Sequence, residues 1–448
     1  MKRKITRQDL DLAIRSSLRD VEQAEPASLG EVLNNLPEGR AAARWSTPSF
    51  RRLAPYIAIG LVVFTAAAAL GLPMALSKPT VSPSASPFTS PSSRPTSAFP
   101  GRSGSFVQTG SMHGGDNGQS ATRLLDGRVL VTPGGGSDGA TASLPEIYDP
   151  RTGRFTQTTP MVQVTVAPDA TLLADGRVLI TGGCVTTATE ATFLRTAEIY
   201  DPTTNTFTAT ASMNFPRCGH TATLLESGQV LIDGADQLGG TTAELFDPGT
   251  GKFILTGAAA IWRQSSTATR LADGRVLITG GNTHSRRLVE AELYDPATGS
   301  FTHAGFMNVP RADHTATLLE DGRVLIAGGE VYVGPGSARS AEIYDPTAGD
   351  FSPTGSLTGV RVNHVAVLLG DGTVLLAGGI GENGFLATAE LYNPGTGIFT
   401  AIGNMTKVRR QPAAALLADG RVLVTGGDIE GSGVAASAEL YVPDGWSP

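Results

Sequence analysis

The stretch HTATLLEDGRVLIAGG at residues 314–329, followed by AEIYDP at 341–346 and then Phe351, decides the fold. Its Thr-Leu-Leu and Val-Leu-Ile runs are short, apolar and partly β-branched, which is the composition of strands. Asp321-Gly322 stands between them, and this pair predicts a two-residue hairpin turn with both central residues at positive φ. Gly328-Gly329 ends the second strand. Glu342-Ile343-Tyr344 reads as a third strand, and Pro346 ends it because proline cannot donate to a ladder. Phe351 opens a fourth.

The same order of elements recurs through the chain. The Asp-Gly pair returns at Asp126, Asp175, Asp273, Asp321, Asp371 and Asp419, with Ser227-Gly228 in the remaining slot, at spacings of 46 to 52 residues. The third-strand glutamates are Glu146, Glu198, Glu244, Glu292, Glu342, Glu390 and Glu439. An aromatic follows in six units, at Phe155, Phe207, Phe253, Phe301, Phe351 and Phe399. Four strands at a period near 48 residues make one propeller blade. The seventh unit stops at Val442-Pro443 without a fourth strand. The run SFVQTGSM at 105–112 is similar to FSPTGSL at 351–357, so this N-terminal strand is expected to complete the last blade and leave no open edge at the seam.

The paired glycines, the later tyrosine and the following aromatic resemble the Kelch repeat. The resemblance covers residues 104–448, with departures at Gly234-Ala235 and Phe246 in unit three. It implies an all-β, seven-bladed Kelch-type propeller of the galactose oxidase-like superfamily, here as a membrane-anchored bacterial-type member. It also implies a binding platform for a protein or a glycan. A minority of such propellers carry an oxidase site of copper held by two Tyr and two His, with one Tyr cross-linked to Cys. Of the eight tyrosines here, six are repeat positions and Tyr56 lies in an apolar run, so Tyr332 alone remains and the oxidase set is not matched.

Outward from the repeat, three segments precede it. Residues 53–77 carry no charge and are mostly Ala, Leu, Ile, Val, Phe and Gly. As a helix they would span roughly 36 Å against a bilayer core of about 30 Å. Arg40, Arg44, Arg51 and Arg52 flank one side and Lys78 alone the other, which predicts a cytoplasmic N-terminus and an extracytoplasmic propeller. Residues 78–103, rich in Ser, Pro and Thr, read as a spacer. In residues 1–52, Leu10, Ile14, Leu18 and Val21 share a helical face, and Ser28 to Glu31 fits a capping box. This segment is either a contact for a cytoplasmic partner, which would make the protein a transmembrane sensor, or a solvated tail.

The net charge is −7. Residues 1–52 hold ten Lys/Arg against seven Asp/Glu, so +3, which leaves −10 on the remainder. An acidic body argues against nucleic acid.

Function is expected in departures from the repeat, since a residue present in every blade serves the scaffold. Strand direction puts the Asp-Gly and Asp-Pro turns on one face. The loops after Gly-Gly, of 7 residues in unit three and 13 in unit two, fall on the other face with the blade connectors. Unequal loops on a rigid scaffold are the usual recognition surface. Arg217, Arg263, Arg311, Arg361 and Arg409 occupy equivalent places there, with His220, His314 and His364 three residues later. The arginines form either a cationic funnel at the channel mouth for a carboxylate or phosphate, or hydrogen bonds that hold the ring together. Ring symmetry spreads the histidines apart, against a shared metal. Cys184 and Cys218 fall on this face in neighbouring blades and are candidates for a disulfide.

No catalytic set, metal or cofactor is assigned. GGSDG at 135–139 and GIGENG at 379–384 match a nucleophile elbow and a dinucleotide loop, but neither precedes a helix. A carbohydrate-active enzyme built on loop acids such as Asp116, Asp138 or Asp236 is the alternative to a binding module.

Overall fold

The computed structural model describes residues 103–115, 118–134, 144–163, 165–186, 191–330, 338–429 and 433–446. The helical segment of 1–52, the apolar run 53–77, the spacer as far as residue 102, Asp116, Gly135–Gly139 with Asp138, and Tyr332 lie outside the described residues. Among the described residues no helix is long and apolar enough to cross a membrane.

Seven antiparallel sheets of four strands form a propeller. In blade five, Thr315–Leu318, Val324–Ala327, Ala341–Asp345 and Asp350–Pro353 run from the axis outward. The innermost strands of adjacent blades neighbour each other around a closed ring, including the first against the seventh. The seventh blade takes its outer strand from the start of the described chain. Gly104–Gln108 pairs with Ala438–Pro443, with Phe106 opposite Tyr441. Phe106 and Tyr441 rings lie 5.4 Å apart. Tyr344 and Phe351 of blade five lie at 4.8 Å. The closing strand thus rebuilds the aromatic pair that each other unit makes within itself.

The second strand of every blade is buried on both faces, as its unbroken apolar run requires. The core is accordingly not one mass but seven interfaces. Val324, Ile326 and Tyr344 of blade five pack against Leu271, Leu277, Leu293 and Met307 from blade four and its exit. Burying each such side chain contributes about 1.5–3 kcal/mol.

The Asp-Gly turns differ from the two-residue form expected. Leu319 N–H donates to Arg323 O at 2.8 Å, and Gly322 N–H donates to Leu319 O at 3.0 Å. The loop is therefore Glu320-Asp321-Gly322, and only the glycine takes positive φ, at 83°. Asp321 instead caps the turn, accepting from the backbone N–H of Arg323 at 3.0 Å and from its Nε at 2.9 Å. This is the three-residue hairpin, which places glycine at the single left-handed position.

Candidate functional site

The second face carries the connectors between blades and the loops that follow Gly-Gly. Among the described residues three of these loops add small hairpins: Cys184–Thr186 with Ala191–Phe193, Ile380–Gly381 with Gly384–Phe385, and Asp428–Ile429 with Gly433–Val434. Residues 379–384 are thus a surface hairpin, which removes the dinucleotide reading.

The five arginines sit beneath this face and do not open onto it as a cationic funnel. Each is 0–1% exposed. Arg311 Nη2 donates to Glu342 Oε1 at 2.8 Å and to Ser340 Oγ at 2.9 Å, while Nη1 donates to Gly328 O at 2.7 Å. Glu342 also accepts the backbone N–H groups of Asn308 and Val309 in the incoming connector, at 2.6 and 3.1 Å. The Arg311 carbonyl accepts from Gly281 N–H of blade four at 2.9 Å. One residue therefore joins its connector, its own blade and the preceding blade. Arg217–Glu244 at 3.2 Å, Arg361–Glu390 at 3.0 Å and Arg409–Glu439 at 3.1 Å repeat the pair, as does Arg263–Glu292. Burial lowers the pKa of Arg311, Arg361 and Arg409 against the opposing pull of their glutamates. A guanidinium nonetheless stays charged at neutral pH.

The three histidines are buried at separate blade junctions. His220 Nε2 meets Thr181 Oγ1 at 2.9 Å, His314 Nε2 meets Thr267 and Thr279 at 3.1 Å, and His364 Nε2 meets Thr315 at 3.0 Å. Burial pushes His220 and His314 down to about 3 and His364 well below its ordinary value, so all three are neutral bridges between blades. Each Cε1 rests on the first glycine of the preceding Gly-Gly, where an added Cβ would stand 2.8–2.9 Å away. That close approach explains the glycine. Among the described residues no group of three or more His, Cys, Asp or Glu is arranged to hold a metal.

Cys184 and Cys218 are joined by a disulfide with Cα atoms 5.5 Å apart. It ties the hairpin that leaves blade two to the connector that enters blade three. Asp236 is 1% exposed. Its carboxylate accepts from Leu238 N–H at 2.8 Å and Thr242 Oγ1 at 2.9 Å, so it caps its own loop.

At the axis, the residue two positions before the start of each innermost strand adopts positive φ: Gly118, Ala167, Gly219, Ser265, Asp313, Asn363 and Gln411, at 51–77°. Backbone N–H groups link this ring around the channel mouth. Ser265 donates to Gly219 O at 3.3 Å, Asp313 to Ser265 O at 3.2 Å, Asn363 to Asp313 O at 3.1 Å, Gln411 to Asn363 O at 3.1 Å and Gly118 to Gln411 O at 3.4 Å. Five of the seven positions are not glycine, so no glycine pattern marks the ring in the sequence. The signal available was position alone, two residues after each arginine. Farther out, the 379–386 hairpin, the 358–361 connector and the Ala401–Ile402 strand end enclose a groove of about 350 Å³, with Arg339 and Glu382 paired at 2.8 Å among its lining residues.

Among the described residues the donors do not fit the copper set of galactose oxidase-like propellers. Both cysteine sulfurs are bonded to each other. Tyr148, Tyr200, Tyr294, Tyr344, Tyr392 and Tyr441 are 0–1% exposed in the blade cores, and the three histidines at the connectors hold threonines at different junctions.

Comparison with known proteins agrees with the architecture. The Kelch motif matches residues 170–214, which span blade two from its inner strand to its exit. No curated protein matches the chain. The chain is similar in fold to a fungal alcohol oxidase of the AA5 family solved in complex with copper. The TM-score is 0.61 at 18% identity, over 76% of each chain. At that identity the likeness shows the fold alone.

Proposed function

We propose that this chain is a membrane-tethered, extracytoplasmic recognition module that binds a protein through the variable-loop face of its propeller. The observation that carries this reading is the contrast between the two faces. The turn face repeats the same capped Asp-Gly turn in six of the seven blades, whereas among the described residues the opposite face carries three unlike hairpins and a groove of about 350 Å³. Kelch propellers commonly bind proteins, which supports a protein over a glycan as ligand. Residues 53–77 serve as the anchor and 78–103 as the spacer. The Cys184–Cys218 disulfide supports an oxidising compartment.

Two measurements test the reading. Protease added outside intact cells should degrade the propeller and spare residues 1–52; protection of the propeller would overturn the orientation. Cross-linking in intact membranes should capture a partner that is lost with Arg339→Ala/Phe385→Ala and kept with the turn-face variant Arg323→Ala. Equal loss with both, or loss with Arg323→Ala alone, would overturn the assignment of the face.

A further inference from the structure

The ring at the channel mouth is unequal in chemistry. Ser265, Asp313, Asn363 and Gln411 supply polar side chains from blades four to seven, and Gly118, Ala167 and Gly219 supply none from blades one to three. In a seven-membered ring, Asp313 of blade five stands across the opening from Gly118 and Ala167, so the ring residues opposite it carry no side chain larger than a methyl group. All four polar residues are half-buried, and Gln411 Nε2 donates to Asn363 Oδ1 at 3.4 Å.

Asp313 is the one ionisable residue of the ring and forms no ion pair among the described residues. The nearest cation in its field, Arg287, is paired with Glu330, and Glu330 acts on Asp313 with the opposite sign. The five connector arginines are committed to buried glutamates. Farther round, Arg410 is paired with Asp428. The mouth therefore holds a partly desolvated carboxylate that accepts a hydrogen bond from the Ser265 hydroxyl, with the Asn363 and Gln411 amides farther round the ring and the neighbouring cations already engaged. The five ring positions held by Ala, Ser, Asp, Asn and Gln at positive φ each carry backbone strain of order 1 kcal/mol, a feature that gathers at ligand-clamping sites.

We propose that this mouth takes one cationic side chain, the ammonium or guanidinium of a basic segment on the protein partner, with Asp313 as its counter-ion. The proposal rests on the loop-face reading above. The aliphatic stem would lie along the small-residue side, and the charged head would meet Asp313 with the Asn363 and Gln411 amide oxygens as further acceptors. An anionic ligand is disfavoured by the same arrangement, since no unengaged cation lines the ring among the described residues.

The test uses the full-length chain in neutral detergent, with tetralysine and its fully acetylated form as probes, read by calorimetry. Asp313→Asn is a safe variant because Asn tolerates positive φ at least as well as Asp. Asp350→Asn, on the exposed outer strand of the same blade, removes the same charge away from the mouth. Tetralysine is expected to bind the wild type at least tenfold more tightly than Asp313→Asn, with less than twofold loss for Asp350→Asn and no binding of the acetylated peptide. Asp313→Glu, which restores the charge, should recover part of the affinity. Equal losses in Asp313→Asn and Asp350→Asn, equal binding of the acetylated peptide, or no binding to the wild type would each overturn the proposal. Any of those results, combined with a cross-linked partner still lost in Arg339→Ala/Phe385→Ala, removes the cation site and leaves the loop-face reading standing. Loss of that face dependence removes both.

Discussion

Blades three to seven and blades one and two solve the same problem with different residues. In blades three to seven a buried arginine neutralises the third-strand glutamate and also satisfies the first-glycine carbonyl. In blade one the connector residue His113 meets Glu146 instead, its backbone N–H and its ring Nδ1 each at 2.8 Å. In blade two no cation meets Glu198 among the described residues, and its carboxylate accepts the backbone N–H groups of Val162 and Gln163 at 2.8 and 2.6 Å; burial raises its pKa. Thr165 there donates to Gly182 O at 2.8 Å, the bond that arginine makes elsewhere. The constant element is thus the glutamate, because its carboxylate ends the connector's unpaired N–H groups in every blade. The cation is the replaceable part. The covalent link between Cys184 and Cys218 joins the blade with the weakest electrostatic latch to its neighbour.

The largest expected effect breaks a latch where it exists. Arg311→Ala leaves Glu342 buried without its counter-ion, and removing one partner of a buried pair costs about 3–5 kcal/mol. Thr165→Ala, the corresponding deletion in blade two, should cost about 1 kcal/mol, the value of a neutral hydrogen bond. Urea unfolding of both variants checks the contrast. Equal losses would mean that blades three to seven draw no more from their arginine than blade two from its threonine. A smaller effect concerns the covalent link. Cys184 and Cys218 are 34 residues apart, and closing a loop of that size removes about 4 kcal/mol of unfolded-chain entropy, an upper figure in practice. Cys184→Ser/Cys218→Ser should unfold earlier in urea, with hydrogen exchange accelerated first in blades two and three. Uniform acceleration around the ring would argue that the bond acts on the unfolded chain alone.

The blade count, the closing strand and the division into two faces were legible in the sequence because each follows from periodicity and strand direction. The depth of the arginines was not. Equivalent positions in a ring must share a radius, but Arg311 lies under the face and not on it for a reason that depends on Glu342, 31 residues away, and on the length of the side chain reaching it. The turn type was misread because Asp-Gly fits both hairpin forms, and Leu319 N–H to Arg323 O decides between them only in three dimensions. The mouth ring was invisible for a third reason. Ser265, Asp313, Asn363 and Gln411 take the left-handed conformation under tertiary constraint, without the glycine that usually announces it.

Asp233 sharpens the comparison within the latched set. It ends the second strand of blade three, where other blades have Thr132, Thr181, Thr279, Ala327, Ala377 and Thr425. Blade five's His314 bonds to Thr279 across the junction; opposite Asp233 the equivalent residue is Ser266, and Oδ2 of Asp233 has no hydrogen-bond partner. Burial raises its carboxyl to about 6, against the pull of Arg263 and Arg217. The sign follows from the raised value. Below about pH 4 the group is protonated in the folded and the unfolded chain alike and contributes nothing. Between about 4 and 6 the unfolded chain ionises first, so folding loses up to about 3 kcal/mol by the upper end of that window. Asp233→Thr should therefore leave stability unchanged at pH 4 and raise it at pH 8, by less than that ceiling. The buried histidines act in the opposite direction, losing stability as pH falls below their ordinary range, but they are common to both proteins and cancel in the difference. A gain that is the same at pH 4 and pH 8 would show that Asp233 acts through packing and not through its charge.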